Sequence, residues 1–189
     1  GDLKQELLEG YDILYLEGYL INDFQLVELV CTLAKSNKMK IALDLASYNV
    51  VEAHLERFRK IVGNYVDIVF ANEDEARVFT GLIPENALQQ LGDNTEIVII
   101  KVGADGSWLR KGEEIIKVNP LPVKCRDTTG AGDLYASGFL YGLAGGFDLE
   151  KCGALGSLCA GKVIEVVGAR MGREKFAEIK KSIRKIIAA

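Results

Sequence analysis

The chain has 189 residues, 49% of them hydrophobic and 26% charged, with a formal net charge of −4. That is the balance of a globular chain able to bury a core, and the length suits one domain or a large piece of one. The acidic charge and the lack of a long basic run argue against nucleic acid as a partner, and no apolar run approaches the roughly 18–20 residues of a membrane span.

No signal peptide or lipidation motif is recognised, so a cytoplasmic location is expected. Cys31, Cys125, Cys152 and Cys159 form no C-x-x-C pair, and His54 is the single histidine. That spacing speaks against a zinc site and fits a reducing compartment. The chain begins with Gly1 rather than Met, which suggests a processed chain or a remnant of a longer one.

Residues 11–20, YDILYLEGYL, read as a buried strand ending in a polar turn. A helix follows, with Asp23 near its N-cap and Leu26, Val30 and Leu33 on one face. MKIALDLAS is the next strand, and NVVEAHLERFRKIVGNY reads as one amphipathic helix with Val51, Leu55, Phe58 and Val62 together. VDIVFANEDEARVFTG runs from a strand into a helix whose acidic first turn suits the helix dipole. PENALQQLG is a short helix. EIVIIKVG is a strand with the near-continuous apolar run of a sheet covered on both faces.

The rhythm then changes. Asp105-Gly106 and Lys111-Gly112 are turn signals around short strands, so 104–120 reads as hairpin material. Three helices end the chain. The second, at about 149–167, is rich in small residues and suits close packing. The last sets Phe176, Ile179, Ile183 and Ile186 on one side. Alternating strands and helices imply right-handed βαβ units. The expected fold is a single three-layer α/β/α domain over 1–189, with a mainly parallel sheet and a β-hairpin at one edge.

The chemistry concentrates at 127–138, DTTGAGDLYASG. A glycine-rich turn opening a helix presents free N–H groups that attract phosphate. Three loop readings compete. The dinucleotide fingerprint G-x-G-x-x-G/A fits Gly130 and Gly132 but fails at Tyr135. A Walker loop would use Gly156, Gly161 and Lys162, but Val163 stands where the hydroxyl is needed and no strand precedes it, so that stretch reads as a small-residue helix. In the third reading the N–H groups of Gly130, Ala131, Gly132 and Asp133 hold charge building on a transferred phosphoryl group, while the Asp133 carboxylate takes the proton of an attacking hydroxyl. A plain glycine turn with Asp133 as a helix-cap residue remains open on spacing alone.

The whole element DTTGAGDLYASGFLYG resembles the C-terminal signature of the ribokinase-like (PfkB) carbohydrate and nucleoside kinases. NEDE at Asn72–Glu75, KVGADG at Lys101–Gly106 and VIEVVGARM at Val163–Met171 resemble further elements of that family, in the family's order. The resemblance implies Asp133 as catalytic base and Gly130, Ala131 and Gly132 as the anion hole. It implies Lys101, Gly103, Gly106, Thr128, Thr129 and Gly168 as nucleotide contacts, and Asn72 and Glu75 as residues acting through Mg²⁺ and phosphate-bound water. Asp127 matches a position that holds a monovalent cation in some members, which makes K⁺ a candidate there. Each has a plainer alternative: Asn72 and Glu75 as a helix cap, Lys101 as a surface charge, Gly103 and Gly106 as hairpin glycines, Asp127 as a loop cap.

YLEGYL, NEDEARVFTG and GARM look closest to the adenosine-kinase-like branch. The expected activity is ATP- and Mg²⁺-dependent transfer of phosphate to an alcohol group of a sugar or nucleoside. The alternatives are a non-catalytic nucleotide-binding module and, less well supported, a Rossmann-like oxidoreductase. Family members are longer, and their N-terminal strands, lid and substrate-gripping acids are not recognised here. The chain therefore reads as the C-terminal, nucleotide-binding part of a kinase, inactive by itself, with a sheet edge that a second copy would cover in a homodimer.

Overall fold

The computed structural model describes residues 3–188; Gly1, Asp2 and Ala189, the ends of the expected domain, lie outside the described residues. It is a mixed α/β fold with a six-stranded sheet in the order β1-β2-β3-β4-β5-β6. The strands are β1 (Ile13–Glu17), β2 (Lys40–Asp44), β3 (Ile68–Asn72), β4 (Ile97–Lys101), β5 (Ser107–Lys111) and β6 (Glu114–Val118). β1, β2 and β3 are parallel, with Ile13 opposite Lys40 and Ala42 opposite Ile68. β5 and β6 are the expected hairpin, at one end of the strand order. The helices are α1 (Phe24–Ser36), α2 (Tyr48–Ala53), α3 (Leu55–Tyr65), α4 (Glu73–Thr80), α5 (Pro84–Gly92), α6 (Ala131–Ala144), α7 (Leu149–Val163) and α8 (Arg173–Ala188).

The chain divides into two compact units. The first takes the residues up to Ile100 together with Arg110–Ile115; the second takes Lys101–Leu109 and the chain from Ile116 onward.

In the first unit the strands are apolar on both sides. Ile41, Leu43, Ile68, Phe70, Ile97 and Ile99 are fully or almost fully buried. Each such side chain contributes roughly 1.5–3 kcal/mol through removal from water. Asp23 starts α1, its carboxylate accepting the Leu26 N–H at 3.1 Å. The most buried stripe of α1 is Val27, Cys31 and Ala34, one position on from the expected Leu26, Val30 and Leu33. Small Cys and Ala let the helix sit close, and the larger side chains flank the contact. Residues 18–22 form a 3-10 turn rather than the end of β1. A Cβ on Gly18 would come within 2.6 Å of the Asp44 carbonyl, so this close turn requires glycine. The helix expected at 49–65 breaks at His54, whose Nε2 lies 2.8 Å from Asn22 Oδ1.

In the second unit α6 and α7 pack along their length and α8 packs on α7. Glycine makes the approach possible. A Cβ on Gly138 would lie 2.8 Å from the Leu155 carbonyl carbon, and one on Gly156 would lie 2.9 Å from the Tyr135 ring. The stretch with Walker-like spacing is thus a packed helix. Gly161 faces Leu121, and Lys162 pairs with Glu165 at 3.1 Å. α7 ends at Val163, short of residue 167, and the chain turns where Val163 O receives the Val166 N–H.

Two glycine substitutions separate packing from propensity. Gly138→Ala should lower stability by about 1–3 kcal/mol, the usual cost of overpacking. Gly63→Ala, in α3 with open space where the methyl goes, should raise it by about 0.5–1 kcal/mol. Denaturant unfolding of both variants against the parent chain checks the pair, and equal signs would contradict the packing described.

Candidate active site

In the second unit, α6 begins on Gly130, held at φ +79°, a left-handed conformation that glycine adopts without strain. No side chain caps this helix. The Leu134 N–H bonds to Gly130 O at 3.0 Å, the first helical turn, and the Ala131 N–H bonds to Thr128 O at 3.1 Å. Of the four expected N–H donors, that of Ala131 thus also closes a turn. Gly132 and Asp133 lie in the first turn, where α-helical N–H groups have no partner within the helix. Asp133 is exposed and sits where a helix dipole favours negative charge.

Lys101, at the end of β4, reaches this helix start. Its Nζ is 3.3 Å from where a Cβ on Gly132 would stand. Next comes the tight turn of Gly103–Asp105, with Gly103 at φ +55° and Gly106 at φ +90°. The Val102 N–H donates to Gly106 O at 2.9 Å and closes the turn. A Cβ on Gly106 would strike the Val118 carbonyl.

Asp127 ties two segments together. Its Oδ1 accepts the Thr129 N–H at 2.9 Å and the Thr129 hydroxyl at 2.7 Å. Its Oδ2 accepts the N–H of Gly168, 41 residues on, at 2.7 Å. The Arg126 N–H adds a bond to Ile164 O at 2.7 Å, and a Cβ on Gly130 would lie 2.9 Å from that of Ala169. The structure thus gathers Asp127, Thr129 and Gly168, with the Thr129 donors turned inward to the carboxylate. The donors from Thr129 and then Gly168 hold the Asp127 carboxyl below the usual carboxylate range.

A neighbouring ion network also holds this segment. Glu165 meets Lys175 at 3.0 Å and Lys162 at 3.1 Å. The hydrogen bond from Lys175 is the main cause of a lowered Glu165 carboxyl.

In the first unit, Asn72 and Glu75 form a capping box at the start of α4. Asn72 Oδ1 accepts the Glu75 N–H at 2.9 Å, and Glu75 Oε2 accepts the Asn72 N–H at 2.7 Å. The Asn72 amide also donates to Glu75 Oε1 at 2.7 Å. Glu75 is 2% exposed. Amide and carboxylate oxygens are the hard donors Mg²⁺ takes, and this ion keeps several of its waters in protein sites. A buried carboxylate already engaged by N–H groups fits a water-mediated role better than direct ligation. Among the described residues no group of three His, Cys, Asp or Glu is placed to hold a metal ion.

The model for pfkB family carbohydrate kinases matches residues 2–175. The chain belongs to the pfkB family of carbohydrate kinases. It is 51% identical over 77 residues to an uncharacterised sugar kinase of Archaeoglobus fulgidus, covering 41% of this chain and 31% of that one. Among solved structures, a probable sugar kinase from Rhizobium etli superposes with TM-score 0.89 at 32% identity, and adenosine kinase from Sinorhizobium meliloti with TM-score 0.89 at 29%. Both matches cover 96% of this chain and 57% of the other. The chain spans less than half the length of the curated relatives it matches. Among the described residues no helix is long and apolar enough to cross a membrane.

Sequence reasoning missed the Gly168–Asp127 bond and a buried contact between Ser107 and Tyr135. Both join residues far apart in the chain. The one available signal was Tyr135 itself, a phenol among the small residues of its helix.

The Asp127 tie has a defined pH dependence. A carboxyl lowered in the folded state contributes stability above its ordinary value and loses it as pH falls through the lowered value. The parent chain should exceed Asp127→Asn in stability at neutral pH, with the gap narrowing below about pH 4. Thermal melts of both proteins from pH 7 to pH 3 check this; a constant gap would mean the carboxylate charge is not what holds Gly168.

Proposed function

We propose that the chain is the C-terminal, nucleotide-binding part of an ATP-dependent phosphotransferase acting on an alcohol group of a sugar or nucleoside. The observation that carries this is the start of α6: a left-handed glycine, no side-chain cap, and an exposed carboxylate in the first turn. The coverage of solved sugar and adenosine kinase chains supports placing the chain in a longer protein.

In this reading Asp133 takes the proton of the acceptor hydroxyl as its oxygen attacks the terminal phosphorus of ATP and ADP leaves. The N–H groups of Gly130, Ala131 and Gly132 face the developing phosphoryl charge from a helix start that is already built, with that of Ala131 shared with Thr128 O. Lys101, beside Gly132, adds a positive charge to the same place. Gly103, Gly106, Thr128, Thr129 and Gly168 shape the nucleotide's surroundings, chiefly through backbone.

Mg²⁺, when bound with ATP, neutralises phosphate charge. Asn72 and Glu75 are the residues proposed to reach it through water. The Asp127 carboxylate already receives three protein donors, so its proposed role is the tie to Gly168 rather than K⁺ ligation. The acidic chain supports small-molecule rather than nucleic-acid partners, and a cytoplasmic location is proposed with it.

In the intact protein, Asp133→Asn should lower kcat by roughly 10²–10⁴, the scale of general acid–base catalysis. ATP affinity should change little, because the N–H groups remain. Steady-state kinetics with calorimetry decide the matter: a variant keeping most of its turnover would leave Asp133 as a cap residue.

Glu75→Gln removes the charge while keeping the capping bond from the Asn72 N–H, since glutamine also serves in a capping box; it gives up the bond from the Asn72 amide, so a melting temperature is measured beside the kinetics. The Mg²⁺ concentration for half-maximal rate at saturating ATP should rise. An unchanged Mg²⁺ titration with unchanged kcat would reduce Glu75 to its capping function.

A further inference from the structure

The hydroxyl of Tyr135 and that of Ser107 share a hydrogen bond of 2.6 Å between two buried side chains. Tyr135 is 5% exposed and Ser107 is fully buried. Burial pushes the phenol of Tyr135 up from its ordinary value, so the link joins two neutral hydroxyls. Dispersion packing alone does not call for a hydroxyl at either position, and two buried polar groups are retained only when each satisfies the other.

The placement of the pair gives it a meaning. Ser107 directly follows Gly106, at the exit of the 103–106 turn; Lys101 stands at the entry. Both ends of this segment touch α6. Lys101 Nζ meets the helix at Gly132, and Ser107 meets it at Tyr135. Gly132 and Tyr135 are three residues apart and so lie on one face of the helix, a single turn from each other. Asp133, on another face, is left exposed. On its far side the Tyr135 ring is backed by Gly156 of α7, where any side chain would collide with it.

We propose that Ser107 and Tyr135 are positioning residues: their hydrogen bond pins the rotation and register of α6 against the 101–107 segment, and so aligns Lys101 and the helix start as one phosphate-facing unit. The Lys101 contact is an ammonium on a flexible stem, which tolerates a shift. The hydroxyl pair is short and directional, and it lets the helix sit in one register only. This inference rests on the phosphotransferase reading of the same helix start.

The test is a double-mutant cycle in the intact protein with Tyr135→Phe, Ser107→Ala and the double variant, plus Ser107→Thr, which keeps a hydroxyl. For each, ATP binding is measured by calorimetry, and KM for ATP, KM for the alcohol and kcat by steady-state kinetics, alongside the melting temperature. Each single variant should lose about 3–10-fold in kcat/KM for ATP, the scale of one buried hydrogen bond. KM for the alcohol should hold. The double variant should be no worse than the worse single, and Ser107→Thr should stay within twofold of the parent. Variants that melt earlier yet bind and turn over ATP like the parent would overturn the inference and leave a purely structural bond. Losses that add in the double variant would overturn it as well. A parent protein that binds no ATP would overturn the phosphotransferase reading itself, and the inference with it.

Discussion

The second unit depends on one constraint: α6 must begin without a side-chain cap, on a residue with positive φ. Gly130 meets it, and the N–H groups of Gly132 and Asp133 are thereby left without a partner inside the helix, while that of Ala131 bonds Thr128 O. An uncapped helix start is a liability for stability, since a capping side chain contributes about 1 kcal/mol. The surroundings offset it. Asp127 accepts three donors and holds the loop before α6 to the segment around Gly168, and the ion network of Glu165 with Lys162 and Lys175 holds that segment in turn. A preorganised start of this kind is suited to developing charge because nothing has to move to meet it.

The two helix starts that carry the candidate residues solve the same problem in opposite ways. α4 is closed by reciprocal bonds between Asn72 and Glu75, which use up donors at its N-terminus. α6 is closed by nothing of its own. The contrast explains why an acid near a helix start means different things in the two places. Glu75 is buried and engaged as the third residue of a box. Asp133 occupies the same position in its helix, yet with glycine rather than asparagine at the N-cap it has no reciprocal partner and remains exposed.

Close packing of α6 on α7 comes from glycine. Gly138 and Gly142 on α6 and Gly156 on α7 each stand where a Cβ would meet the other helix. Such contacts lack large apolar payload but gain dispersion over many atoms. They fix the helices in a narrow range of positions, which suits a helix whose first turn carries the candidate base. The entropic cost of mid-helix glycine, about 1 kcal/mol each relative to alanine, is offset by that approach.

The sequence by itself determined the alternation of strands and helices, the hairpin and the family, because these rest on local signals. Apolar runs such as Ile97–Ile100, turn pairs such as Lys111-Gly112, and the unbroken DTTGAGD element need no knowledge of distant neighbours. The N-cap at Asp23 and the candidate pair Asn72 and Glu75 were legible for the same reason, since a capping box is spaced by three residues. Tertiary structure decided the rest. Which stripe of α1 is buried followed from the small residues Cys31 and Ala34 permitting close approach, and periodicity cannot rank faces one position apart. The helix break at His54 comes with a contact to Asn22, 32 residues away. The Asp127–Gly168 tie spans 41 residues and the Ser107–Tyr135 bond 28. Hydrogen bonds act over about 3 Å in space and are blind to separation along the chain; only the folded backbone brings such partners together.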